Sequence, residues 1–472
     1  MNYVLEKNIK IQKWSSGKSC YTVDGKNRPF PLKPEEYALL KGCDGVTELA
    51  PSDTLYVMEA LGVIRRCRKG EAHLAQGQIR EYPNKLSCAI SWEITERCNY
   101  NCLHCFNAAD SETKRYEFSR EEAFRFLEEA EACGVSDIWL TGGEPTLYPY
   151  FREIVEDIHN RGMRLQTLLT NGSLLDDALA AFIQELHPRA QIMLSFDGIG
   201  FHDWLRQREG SEERVKRAIR ASKAAGLSVK INMNVNRRNR GVICDSVNML
   251  ADMGVDVLRI IKTTETPRWQ LNAADASLTP EEYYDFSIDF AKWYRSSGLT
   301  KPVTIWQSLY LRGRDRSFHI LPVKSSACGY RDGAPICSAM LRKPSVRANG
   351  EIIPCSPMAG LFSSRGIHMG NVKRDGLQRL LTEGKLFEQV TQTAGQKRLA
   401  NPKCGECRYF PYCQGGCPAV SMLYGGSLLS PDEYKCVFFE NGYYAKYSEA
   451  LRGWKNLVPL SEEETRELTR AL

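Results

Sequence analysis

From about Cys88 to Gly298 the sequence alternates short apolar runs with amphipathic stretches, several opened by a capping residue and closed by glycine. That alternation calls for parallel strands joined by helices. Strands are expected at Ala89–Thr95, Asp137–Leu140, Leu165–Thr170, Gln191–Phe196, Val229–Val235 and Val257–Lys262, with helices such as Tyr150–Arg161 and Glu212–Ala225 between them. Ser119 and Glu122 form a capping box for a helix running to Cys133, and Thr279, Pro280 and Glu282 open the last helix with proline at its first position. Six such units build an open doubly wound sheet or a partial barrel, and in both the ligand lies beyond the carboxyl ends of the strands. The chemistry-bearing residues fall there: Cys98–Cys105 after the first strand, Gly142-Gly143-Glu144-Pro145 after the second, Thr170-Asn171-Gly172 after the third and Ser195-Phe196-Asp197-Gly198 after the fourth.

The 17 cysteines are the unusual number in a composition that is otherwise that of an ordinary globular chain, with 43% apolar and 25% charged residues. The start of the chain lacks a basic-then-apolar secretory pattern and no apolar run is long enough for a membrane span, so a cytoplasmic address is expected. Reduced thiols at short spacings in that compartment point to metal rather than to disulfides. Cys20, Cys43, Cys67, Cys88, Cys133 and Cys244 stand alone and read as small apolar residues. A net charge of +6 without a dominant basic block gives no case for nucleic acid.

The spacing C-x3-C-x2-C at Cys98, Cys102 and Cys105 supplies three thiolates where a four-iron cluster has four irons, leaving one iron open to an exogenous chelator. Zinc is the alternative, with His104 as a fourth ligand, although its position between two ligating cysteines is poor geometry for that.

Trp92-Glu93-Ile94-Thr95-Glu96-Arg97-Cys98 through Cys105, followed one unit later by Thr141-Gly142-Gly143-Glu144-Pro145, resembles the radical S-adenosylmethionine superfamily. The resemblance implies that the amino and carboxylate groups of S-adenosylmethionine chelate the open iron of a 4Fe-4S cluster on Cys98, Cys102 and Cys105. The Gly142-Gly143-Glu144 turn would hold the methionyl amino group through backbone atoms, its glycines allowing a close approach to the ligand. It further places Ser195 near the ribose or carboxylate, Arg206 on the methionyl carboxylate, with Arg208 and Arg214 as competing candidates, and His104 against the adenine side.

The later cysteines run Cys337, Gly350, Cys355, then C-x2-C-x5-C-x3-C at Cys404, Cys407, Cys413 and Cys417, then Cys436. A zinc ribbon is the simpler reading, but order and spacing resemble the SPASM signature of radical peptide maturases. That likeness assigns Cys404, Cys407, Cys413 and Cys436 to a second auxiliary cluster and Cys337, Cys355 and Cys417 to a first, for three 4Fe-4S clusters in all. The first is one ligand short, and Cys328, nine residues before Cys337, is expected to close it; left open, its iron could bind a substrate thiolate.

Before residue 85 the pattern changes to strand-like Tyr3–Gln12 and Ser19–Val23 and helical Lys33–Lys41 and Pro51–Leu61. Pro31–Glu36, Ala38-Leu39-Leu40, Cys43-Asp44-Gly45, Leu49 and Val57–Ile64 resemble the small domain that recognises leader sequences of ribosomally made peptides; a structural cap is the bland alternative. In such a domain the leader adds a strand to a sheet edge, here expected within Tyr3–Val23. The expected architecture is therefore α/β: a winged-helix-like peptide-binding domain (1–85), a partial (β/α)6 TIM-like radical barrel (86–300), a bridging region (301–327), a cysteine-rich SPASM domain (328–440) and a helical tail (441–472). The expected activity is oxidative modification of a precursor peptide, most simply a carbon–carbon or thioether cross-link, with S-adenosylmethionine as cofactor and flavodoxin or ferredoxin as electron donor. Epimerisation is an alternative, as is an anaerobic sulfatase-maturing activity, where an Asp stands at the place of Ser356. A metal-organised binding or electron-transfer protein is the non-enzyme alternative.

Overall fold

The computed structural model describes residues 1–23, 30–85, 88–105, 116–458 and 460–469. The N-terminal segment folds as β1 (Asn2–Leu5), β2 (Ile9–Trp14), β3 (Ser19–Val23), β4 (Phe30–Leu32), α1 (Pro34–Lys41), β5 (Asp44–Glu48), α2 (Asp53–Ala60), β6 (Ile64–Cys67) and β7 (Ile79–Tyr82). Tyr3, Ile9, Ile11, Leu40, Leu55 and Ile64 belong to a core of its own. The run Tyr3–Gln12 is not one strand: a turn closed by Ile9 N donating to Glu6 O at 3.0 Å divides it. Its halves enter different sheets, ordered β5-β1-β6 and β4-β3-β2-β7. This corrects the expected docking edge, because β1, β2 and β3 are all internal, and the edges are β4 and β7 in one sheet and β5 and β6 in the other. The unit is anchored to the rest of the chain by Trp14, whose Nε1 donates to Cys133 O at 3.0 Å.

The six expected strands form as β8 (Ala89–Glu93), β9 (Asp137–Thr141), β10 (Arg164–Thr170), β11 (Gln191–Ser195), β12 (Ser228–Val235) and β13 (Val257–Lys262), each parallel to the next. Between and after them run α3 (Arg120–Ala132), α4 (Phe151–Asn160), α5 (Asp177–Leu186), α6 (His202–Arg206), α7 (Ser211–Ala224), α8 (Ile243–Asp252), α9 (Pro267–Ala273) and α10 (Pro280–Ser296). The capping boxes at Ser119/Glu122 and Thr279/Glu282 are both made. Val229, Ile231, Met233 and Val235 of β12 are fully buried in the core shared with the helices. The alternate residues Ser228, Lys230, Asn232 and Asn234 therefore face the concave side.

The sheet does not end at the barrel. β14 (Val303–Ile305), β15 (Leu309–Arg312) and β16 (Ser317–Ile320) extend it beyond β13, and β17 (Ser345–Val346) and β18 (Ile352–Ile353) extend it beyond β8. With β19 (Lys455–Asn456) on β16 it reaches 12 strands. Segment 301–327 thus supplies three strands of the main sheet, and strands from the cysteine-rich region and the tail border it on either side. Among the described residues no helix is long and apolar enough to cross a membrane.

Candidate active site and cysteine clusters

The loop bearing Cys98, Cys102 and Cys105 leaves β8 at the carboxyl end of the sheet and is held from two sides. On one side Leu103 N donates to Leu205 O at 3.0 Å and Asn101 N to Arg206 O at 3.3 Å, so the loop lies along α6. Leu103, Leu205 and Trp269 share a small apolar cluster beneath it. On the other side the Gly142-Gly143-Glu144 turn packs backbone to backbone against the residues before Cys98, with Gly143 N donating to Thr95 O and Glu144 N to Arg97 O, each at 2.7 Å. A Cβ at Gly142 would stand 2.6 Å from Thr95 O and one at Gly143 2.3 Å from Arg97 O. In this structure the glycines bring two loops together; the close approach expected toward a ligand is here made to protein backbone. Gly143→Ala should push the turn off the cysteine loop at a cost of about 1–3 kcal/mol. Lower iron retention per chain after anaerobic reconstitution, together with a lower unfolding midpoint, is the expected outcome.

Glu144 is fully buried and faces the end of β10. It accepts from Thr146 Oγ1 (2.6 Å), Thr170 Oγ1 (2.7 Å) and Asn171 N (2.7 Å). Asn171 Nδ2 in turn donates to Asn99 Oδ1 and Asn99 Nδ2 to Ser173 Oγ, both at 2.8 Å. The second and third strand ends are thereby tied to the cysteine loop, a role for Asn99, Thr170 and Asn171 that only the assembled fold displays. Ser195 ends β11 in register with Asn232 of β12. At the end of β8, burial pushes the Glu93 carboxyl up to about 8 despite Arg347 Nε at 4.0 Å, which keeps it an acid at neutral pH.

Arg206 is buried, with Nε donating to Asp197 Oδ2 at 2.6 Å and Nη1 lying 3.7 Å from Cys102 Sγ. Its Nη2 is buried without a partner. Asp197 also accepts from Asn234 N at 2.9 Å and has His202 Nδ1 at 3.1 Å. Burial alone would raise this carboxyl, but the Arg206 charge and the His202 contact hold it well below the usual carboxylate range. His104 accepts from Asn234 Nδ2 at 3.1 Å through Nε2, and burial with Arg206 nearby pushes it down to about 3, so it is neutral. The triad thus has an arginine and an aspartate locked together beside it, with one guanidinium nitrogen left over, and a second arginine, Arg268, donates from Nη2 to the loop carbonyl Asn101 O at 2.9 Å.

The later thiols separate into two groups. Cys355 has Cys417 and Cys337 within electrostatic reach, and Cys417 likewise has Cys337. Cys413 has Cys407 and Cys404 as such neighbours, and Cys436 has Cys413. The resemblance assigns Cys337, Cys355 and Cys417 to one cluster and Cys404, Cys407, Cys413 and Cys436 to the other. Cys328 is exposed, with Sγ 3.1 Å from Ser326 Oγ, on a turn (Ala327–Gly329) packed against the short helix Phe410–Cys413. Among the described residues no three His, Cys, Asp or Glu side chains meet closely enough to hold a single metal ion. The chemistry of the donor set, three grouped thiols on a loop and further grouped thiols below, suits iron–sulfur clusters. Buried Lys397 (Nζ to Ser421 Oγ, 2.7 Å) and Lys435 (Nζ to Gln307 O, 3.3 Å), with the more exposed Lys324 (Nζ to Gly416 O, 2.9 Å), lie among the later thiols and offset thiolate charge.

Residues 92–238 match the Radical SAM superfamily, and residues 337–408 match the SPASM iron-sulfur cluster-binding domain. The chain is a radical SAM/SPASM enzyme. The SPASM match stops between Cys407 and Cys413, so the grouping of the last three cysteines rests on the geometry above. The enzyme is 24% identical to an AdoMet-dependent heme synthase of Methanosarcina barkeri over 74% of this chain and 96% of that one. It is 28% identical to the mycofactocin maturase MftC of Mycobacterium tuberculosis over 74% of this chain and 82% of that one. In fold it resembles Streptococcus suis SuiB bound to precursor peptide SuiA, with a TM-score of 0.64 at 14% identity, covering 92% of this chain and 99% of that one. It also resembles anSMEcpe with bound AdoMet and the Cp18Cys peptide, with a TM-score of 0.57 at 18% identity and 77% coverage of this chain.

Proposed function

We propose that the enzyme modifies a ribosomally made precursor peptide oxidatively, joining two of its side chains. The observation that carries this reading is the N-terminal unit with its own core and sheet edges at β4, β6 and β7, where a strand can be added; the fourth edge, β5, is covered in part by Gly70, whose N donates to Gly45 O at 2.9 Å. The fold likeness to SuiB spans 92% of the chain, while the heme synthase and MftC each match 74% of it in sequence, leaving part of this chain without a counterpart in either. The domain limits 1–85, 86–300, 301–327, 328–440 and 441–472 belong to the same reading, as do a cytoplasmic address and a flavodoxin or ferredoxin donor.

Cys98, Cys102 and Cys105 hold the radical-generating cluster in this proposal. Cys337, Cys355 and Cys417, with Cys328 as fourth ligand, hold the first auxiliary cluster, and Cys404, Cys407, Cys413 and Cys436 the second. Reductive cleavage of bound S-adenosylmethionine supplies a 5'-deoxyadenosyl radical that takes a hydrogen atom from a peptide C–H. The residues of this chain position and shield. Arg206, through Nη2, takes the methionyl carboxylate while Asp197 holds the guanidinium in place; Gly142, Gly143 and Ser195 line the same mouth, and Glu144 braces it from below. Bond formation would release one electron, which clusters held by the later thiols would accept, and one proton to solvent, so the peptide would lose two hydrogens in all.

The test is anaerobic turnover with the small peptide encoded beside the gene, read by mass spectrometry. Loss of two hydrogens with one 5'-deoxyadenosine formed per peptide is expected. Unchanged mass with deuterium uptake from solvent replaces cross-linking by epimerisation, and an unmodified peptide overturns the reading.

A further inference from the structure

Three cations converge on the concave face of the barrel with no carboxylate among the described residues to balance them. Arg259 of β13 lies in register with Asn232, itself in register with Ser195, so it stands on the tier of the strand mouth. Lys230 of β12 is one pleat deeper on the same face, because Val229 and Ile231 on either side of it are buried against the helices. Lys343 reaches in from the cysteine-rich region, just ahead of β17, and has Arg259, Lys230 and Cys355 within electrostatic reach. Thus the trio lies between the radical-generating mouth and the first auxiliary set.

The contacts these cations make are aromatic. The Arg259 guanidinium carbon is 3.9 Å from the centroid of the Trp306 ring, and Lys343 Nζ is 3.0 Å from that of Trp139. A ring face attracts a cation but takes up few of its hydrogen-bond donors, and Arg259 Nε is buried without a partner. Burial and mutual repulsion push Lys230 down to about 8 and Lys343 to about 7. The lysines around the later thiols differ, since Lys324, Lys397 and Lys435 each donate to a backbone carbonyl or a hydroxyl. Positive charge gathered without a carboxylate partner, at and just below the tier of the reacting mouth, is what a substrate anion would complete.

We propose that Lys230, Arg259 and Lys343 bind a carboxylate of the substrate's core segment, either an acidic side chain or the peptide's C-terminus. The inference rests on the peptide reading above and narrows it: the modified segment carries its negative charge close to the bond that forms. Arg259 supplies a planar fork for the carboxylate, and the two lysines add charge from below and from the side of Cys355.

The experiment uses the full-length reconstituted enzyme with S-adenosylmethionine, read by tryptophan fluorescence, because Trp139 and Trp306 carry the cations that a carboxylate would draw away. The probes are Ac-Ala-Ala-Glu-Ala-Ala-NH2, Ac-Ala-Ala-Ala-Ala-Ala with a free C-terminus, Ac-Ala-Ala-Gln-Ala-Ala-NH2 and glutarate. At least one acidic peptide should bind about tenfold or more tightly than the neutral one, as expected for a charge-assisted pair, and which of the two does so identifies the source of the carboxylate. Arg259→Gln and Lys230→Gln should each erase that preference, and Arg259→Lys should keep part of it, which separates loss of charge from loss of fold. Equal binding of all four probes, or an acidic preference that survives both Gln variants, overturns the inference. So does a shift in auxiliary-cluster potential in Arg259→Gln with no acidic preference in the parent enzyme, because the trio would then serve the cluster alone. If glutarate binds with the same dependence on Arg259 and neither acidic peptide does, the carboxylate site stands and the peptide reading falls.

Discussion

Cys98→Ala should yield a folded enzyme that no longer cleaves S-adenosylmethionine, with 5'-deoxyadenosine below detection under conditions where the parent turns over. The thiol is one of three on a loop whose backbone is held independently, by α6 on one side and by the Gly142-Gly143 turn on the other. In the proposed assignment, losing it removes a ligand and leaves the scaffold. The auxiliary thiols lie elsewhere in the fold, so the variant should stay brown. Iron per chain should fall by about one cluster's worth and the remainder should still be reducible. A colourless variant would mean that the three sites assemble only together.

Asp197→Ala should be the most destabilising single change near the site. It leaves the buried Arg206 guanidinium beside Cys102 with no counter-charge, and breaking a buried pair from one side costs about 3–5 kcal/mol. Asp197→Ala combined with Arg206→Met should recover most of that loss, because an apolar pair of similar volume avoids the desolvated charge. Denaturant unfolding of the two variants measures the difference. The pH dependence has a fixed sign. The Asp197 carboxyl is held below its unfolded value, so its contribution is fully present above the ordinary carboxylate range, about pH 4, and is lost as pH falls further. The double variant should show a flatter acid limb.

The barrel was legible because each of its six strands carries its own local signal, an apolar run followed by a helical stretch, several of them capped, and these need no knowledge of partners. The docking edge was not, since whether Tyr3–Val23 lies inside or at the border of a sheet depends on pairing with β5, β6 and β7, all of them distant in sequence. The short strands β14 to β19 have too few residues for any periodicity to show. The cysteine sets were readable from spacing and resemblance, but the roles of Asn99, Thr170 and Asp197 as braces for the loop depend on contacts between strand ends. Arg206 was picked out from its place in the chain; its ion pair with Asp197 comes from the way α6 folds back over the fourth strand end.

The 12-stranded sheet joins what the chain order separates. β17 is hydrogen-bonded to β8 and β18 to β17, and because β18 runs opposite to β8, Cys355 leaves the sheet on the side away from the carboxyl end that carries Cys98. The strands that carry those two thiols are therefore joined by ladder hydrogen bonds within one ribbon and not by the docking of one lobe on another. The two cysteine groups share one foundation, like fittings soldered to the two sides of the same board.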